Sequence, residues 1–124
     1  MIKIRILKKD DLRLGFKIEG HALSRAEIEK SGNAYDLICN SVSVLSQSAL
    51  IGMEEVLKLK VKYEINDGFL HINLSNLKIQ EIENCQVLLL TFEKSIESLM
   101  ESLKLTFGSK KDSEYIRLLK EEVQ

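Results

Sequence analysis

From its first residues the chain alternates. Ile2, Ile4 and Ile6 fall on one side of an extended segment and Lys3 and Arg5 on the other, which predicts a half-buried strand over Met1–Leu7. Lys9-Asp10-Asp11 reads as a turn. Leu14 to Glu19 resumes the strand pattern, so a β-hairpin ends at Gly20-His21. The period then changes. Ile38, Val42, Leu45, Ala49, Met53 and Val56 recur every three or four residues, the buried stripe of a helix capped by Asn33 or Asp36. Leu59 to Ile65 alternates again, Asn66-Asp67-Gly68 is a tight-turn signal, and Phe69 to Leu74 returns as the second hairpin. Lys78 to Phe107 predicts a second long helix, with Ile82, Cys85, Leu89, Phe92, Ile96, Leu99 and Leu103 on its buried side and Gly108 at its end. Tyr115 to Lys120 fits either a short strand or a last helical turn. The order ββαββα, with a possible C-terminal strand, predicts an α+β two-layer domain over residues 1–124. Its sheet would have four or five mostly antiparallel strands, packed by two long helices.

Composition narrows the function classes. The chain has 124 residues, 44% hydrophobic and 30% charged, enough apolar material for one core and too much for a disordered chain. A net charge of −1 argues against a dedicated nucleic-acid binder, and Lys3, Arg5, Lys8 and Lys9 read as a solvated strand end. The apolar region Leu37–Leu57 is broken by Asn40, a series of serines, Gln47 and Gly52, too polar to span a membrane. The start carries no signal-peptide pattern, and two widely separated cysteines suit a reducing cytoplasm. With no Cys-x-x-Cys, no His-x-x-x-His and no glycine-rich loop, neither a metal nor a nucleotide cofactor is expected.

The candidate chemistry lies between Gly20 and Leu45. With Asp36 as the cap, Cys39 would sit in the first helical turn, near unpaired amides and the positive end of the dipole, which favour the thiolate. With Asn33 as the cap, it falls in the second turn and that advantage fades. Asp36, Cys39, Ser43 and Gln47 share one helical face, a polar row beside the core stripe. Two readings fit this row: the edge of a cleft, or a small core cysteine beside solvated serines. His21 alone reads as a surface or satisfied histidine. At a strand end facing a helix start, it and Cys39 together fit the base and nucleophile of a cysteine hydrolase, on one side of a cleft. His71 reads as a solvated strand position and Cys85 as core. The loop Leu23–Asn33, charged and poor in apolar anchors, is expected to move.

Gly20-His21-Ala22, then Asp36-Leu37-Ile38-Cys39 with Ser41-Val42-Ser43-Val44-Leu45 behind it, resembles the ribosomal-processing cysteine protease family Prp. The resemblance implies a small endopeptidase that removes an N-terminal extension from a large-subunit ribosomal protein precursor, working as a homodimer. It implies His21 as base, Cys39 as nucleophile, and Asp36 and Ser43 as supporting polar residues. The sequence departs from the family pattern at Ala34, at Asn40 and in a longer loop between His21 and Cys39, which bears on gating and substrate choice. The alternative is a non-catalytic, dimeric ribosome-associated binding protein with a structural cysteine. A thiol redox protein fits less well, for no resolving cysteine lies near Cys39. A helical homodimer interface is also expected from apolar residues outside the main stripes: Leu50, Ile51 and Leu57 in the first helix, and Val87, Leu88, Leu90 and Met100 in the second. A tail over Lys110–Gln124 that folds back onto them would remove that need.

Overall fold

The computed structural model describes residues 1–20, 33–107 and 115–123, with only the backbone at 33–37 and 107. His21, the expected mobile loop, the expected helix end at Gly108 and residues 110–114 of the tail lie outside the described residues.

The first hairpin pairs β1 (Ile2–Lys9) with β2 (Leu12–Glu19), antiparallel, around a turn at Asp10, whose positive φ an aspartate tolerates. The second pairs β3 (Lys62–Asn66) with β4 (Phe69–Asn73) across Asp67-Gly68. β4 then joins β2 antiparallel, and β5 (Ile116–Glu122) joins β1 parallel. Among the described residues this makes a five-stranded sheet in the order β3-β4-β2-β1-β5. The open choice for the tail therefore resolves to a strand. It lies at the sheet edge and not over the helices.

Among the described residues, three helices cover one face. α1 (Asn33–Ile51) buries Ile38, Val42 and Ala49, as the spacing predicts. It passes into a π-helical turn over Gly52–Val56, with Leu57 N–H donating to the Gly52 carbonyl at 2.9 Å. The wider turn slips the stripe around the axis. Val56, expected in the core, is exposed, and Leu57 packs on the core instead.

The second long helix is not continuous. α2 (Ile79–Asn84) ends at Cys85 and α3 (Gln86–Phe107) begins beyond it. At the break, the Cys85 amide donates to the Ile82 carbonyl at 3.1 Å, a tighter 3₁₀ bond. Gln86 accounts for the break. Its side chain accepts from the Arg13 amide and donates to the Arg13 carbonyl, both at 2.8 Å, and also donates to the Ile82 carbonyl at 3.0 Å. One side chain thus ties α3 to β2 and satisfies a carbonyl beside the interruption. The core between sheet and helices is apolar, with Phe16 of β2 stacked on Phe92 of α3 at a 4.1 Å centroid separation. The two-layer α+β reading holds.

Among the described residues Ser46 and Glu93 are the buried polar side chains, and Glu93 of α3 is the charged one. It is 1% exposed, and Arg13 grips it with two hydrogen bonds, Nε to Oε1 at 2.9 Å and NH2 to Oε2 at 3.1 Å. Lys120 of β5 adds an ion pair at 3.5 Å. Burial pushes the Glu93 carboxyl up, but the Arg13 bonds and charge, with Lys120, outweigh it and hold the carboxyl below its usual range. The same bonds raise Arg13.

Candidate active site

A cavity of about 320 Å³ opens between α1 and the ends of β2, β3 and β4. Cys39, Asn40, Ser43 and Gln47 line it from the helix, opposite Ile18, Gly20, Ile65, Asn66 and Phe69. Cys39, Ser43 and Gln47 of the polar row therefore front a cleft. Cys39 is half-buried, its side packed on the core, and it is not in a disulfide. One turn on, Ser43 Oγ accepts a hydrogen bond from Gln47 Nε2 at 2.7 Å, and Ser46 Oγ donates to the Ser43 carbonyl at 3.0 Å. Two polar side chains of the row are thus held in place by α1 itself.

The helix start differs from one of the two expectations. α1 already includes Asn33, so Asp36 lies inside the helix and does not cap it. Cys39 falls in the second turn. There the backbone amide bonds the carbonyl four residues back, and the unpaired donors of the helix start are a turn away. Hydrogen-bond donors beside Cys39 therefore come largely from side chains. The cavity offers the amides of Asn40, Gln47 and Asn66 and the Ser43 hydroxyl.

On the strand side, Gly20 ends β2 at φ +79°, a left-handed conformation that favours glycine. Its amide donates to the Gly68 carbonyl at 2.9 Å, and an added Cβ would lie 2.6 Å from the Met1 carbonyl oxygen. The backbone at the residue before His21 is thereby pinned at the cavity wall. Gly20→Ala is expected to lower stability by about 1–2 kcal/mol, read from the urea midpoint. A midpoint equal to wild type would contradict the pinning.

Sequence reasoning missed the contribution of the second hairpin. Asn66-Asp67-Gly68 stood out only as a turn, yet Asn66, Gly68 and Phe69 line the cavity. Nothing local to that turn points to Cys39, because sheet order brings the two together. Cys85 behaves as expected. It is fully buried, and burial, with a lesser contribution from Glu81, pushes its thiol up, so it stays protonated and inert. His71 is half-buried on the sheet face away from the helices. No group of acidic, histidine and cysteine residues suited to a metal occurs among the described residues, and no helix there is long and apolar enough to cross a membrane.

The family described as Cysteine protease Prp matches residues 1–106, most of the chain and all of the elements that build this cavity. The chain belongs to the Prp family of cysteine proteases. The non-catalytic alternative falls with that membership. Solved structures agree in fold. SMU.848 from Streptococcus mutans is 21% identical at a TM-score of 0.77, covering 99% of this chain and 96% of that one. The ribosomal processing protease Prp of Staphylococcus aureus, solved with a substrate peptide, is 18% identical at a TM-score of 0.73, covering 98% and 100%. The same enzyme with a covalently linked product peptide gives 18% and 0.67 over the same coverage. No curated protein matches the chain.

Proposed function

We propose that this chain, acting as one domain over residues 1–124, is an endopeptidase that removes an N-terminal extension from a large-subunit ribosomal protein. Cys39 is the nucleophile, His21 the base, and Asp36 and Ser43 supporting residues. The observation that carries this reading is the cavity that Cys39 shares with Gly20, the residue directly before His21. The Staphylococcus aureus Prp, named as a ribosomal processing protease, supports the substrate class. A ribosomal substrate makes the enzyme cytoplasmic.

His21 takes the thiol proton, and the Cys39 sulfur forms a bond to the scissile carbonyl carbon. The carbonyl oxygen becomes an oxyanion, which side-chain donors of the cavity receive. Collapse breaks the C–N bond, and His21 returns its proton to the leaving amine. Water then attacks the thioester, His21 takes a proton from it, and the acyl product leaves Cys39 as a free acid. No step calls on a metal.

Iodoacetamide labelling followed by mass spectrometry tests the pair. Cys39 should alkylate near neutral pH in wild type and far more slowly in His21→Ala. Cys85 should label only after denaturation. A silent Cys39, or labelling indifferent to His21, sinks the pairing.

What the helices leave exposed supports a homodimer. Leu50, Leu57, Leu88 and Met100, four of the surplus apolar residues, pack on the core. Ile51, Val87 and Leu90 remain exposed. These three support a helical interface between two copies. Light scattering at micromolar concentration should give twice the 14.2 kDa chain mass. A clean monomer refutes it.

A further inference from the structure

Residues directly opposite in a sheet point to the same face. Two rows therefore cross all five strands on the side that faces the helices. One runs Ile65, Leu70, Ile18, Ile4, Leu118, and the other Tyr63, Ile72, Phe16, Ile6, Lys120. Their middles are covered, with Ile4, Phe16 and Ile72 fully buried. At the β5 edge the rows end in a partly buried leucine and in Lys120, whose ammonium reaches Glu93. At the β3 edge they end differently. Ile65 and Tyr63 are 57% and 46% exposed, although they lie on the helix side.

The inner face of β3 thus extends past the helix layer as an open apolar shelf. Among the described residues β3 is also an edge strand, so its outer side presents backbone amides and carbonyls that no described strand pairs. The shelf leads into the cavity. Ile65 and Asn66, at the end of β3, line it together with Cys39. A groove that ends at a nucleophile suits a chain that is to be cut there.

We propose that this shelf holds the substrate. An extended peptide segment lies along β3, adds to the sheet through main-chain hydrogen bonds, and seats an apolar side chain against Tyr63 and Ile65. This rests on Cys39 as the nucleophile, but it concerns binding and not bond breaking. The shelf makes the same contacts in the ground state and the transition state. Its loss should therefore raise KM and leave kcat alone.

The test uses a quenched-fluorescence peptide carrying the N-terminal region of the ribosomal protein. Its turnover and its direct binding by anisotropy are measured on the full chain. Tyr63→Ser with Ile65→Ser is expected to raise both KM and the dissociation constant Kd about tenfold or more, with kcat within about twofold. Leu105→Ser, exposed on α3, is the control and should change neither. Unchanged KM and binding in the double variant overturn the proposal. So does a fall in kcat without a rise in KM, or a loss of affinity that tracks dissociation of a dimer by light scattering, since a second copy would then occupy the shelf. Cleavage that persists in Cys39→Ala defeats the nucleophile assignment instead, and the binding constants still report on the shelf.

Discussion

Cys39→Ala is expected to lower kcat/KM for peptide cleavage by at least about 10⁴-fold while the protein stays folded. In this mechanism the sulfur makes the new covalent bond, so no neighbouring group can stand in for it. What remains is binding and the donors of the cavity, which contribute only a residual acceleration. The fold should tolerate the change, because Cys39 is only half-buried and alanine suits a helix. Cys85 provides the contrast. It is fully buried beside Ile82 and Leu89 at the break between α2 and α3. Cys85→Ser places a hydroxyl in that apolar site and should cost stability while the remaining folded protein keeps its kcat. Active-site titration beside a urea melt separates the two effects. A Cys39→Ala protein with more than about a tenth of wild-type activity would end the assignment.

Glu93→Gln is expected to cost about 3 kcal/mol of folding stability at neutral pH. The carboxylate is almost wholly inside the protein, and Arg13, with a side chain only 12% exposed, is its main partner. Glutamine keeps the shape and removes the charge, leaving a guanidinium largely buried without its counter-ion. The pH dependence follows from the direction of the shift. The carboxyl is held below its ordinary value of 4.5 in the folded chain. Its contribution is therefore complete above the unfolded value and is lost as pH falls through the lower folded one. Urea midpoints for wild type and variant should differ most near pH 7 and converge as the solution is made strongly acid. Lys120→Ala should matter much less, about 1 kcal/mol or below, since that lysine is half in water. Replacing both partners, Arg13→Met with Glu93→Leu, should recover much of the loss. Equal midpoints for wild type and Glu93→Gln at neutral pH would show that the bridge contributes nothing.

Periodicity carried the architecture. The alternation of Ile2, Ile4 and Ile6, the Asp67-Gly68 turn and the stripe through Ile38, Val42 and Ala49 each encode a local choice, and each appears in the fold. The misses lie where a distant partner decides. The break at Cys85 depends on Gln86 reaching Arg13, a contact between residues far apart in the chain. The π-helical turn at Gly52–Val56 moved Val56 out of the stripe. Burial of Glu93 had a faint signal, for it stands four residues after Leu89 on the apolar side. A glutamate there still looks like a solvated charge until Arg13 is placed opposite. At the site, the polar row of Cys39, Ser43 and Gln47 was visible at helical spacing. The wall facing it, from Ile18 to Phe69, was not, because only sheet order brings β2, β3 and β4 around α1.

The parallel pairing of β5 with β1 has a consequence for how the chain folds. The strand that covers the outer edge of β1 comes from residues 116–122, while β1 itself begins at residue 2. Both hairpins and the described helices can form from contacts closer in sequence. The β1–β5 ladder closes the longest loop in the fold, and such closures are made late because their entropy is lost before their contacts form. During synthesis β1 leaves the ribosome long before β5 and keeps one open edge until residues 116–122 have emerged. Over that interval the nascent chain carries an unpaired strand beside the isoleucines of its future core, the condition in which strands add to one another. Refolding from urea should therefore be limited by docking of β5, and aggregation should compete with that step and with no earlier one.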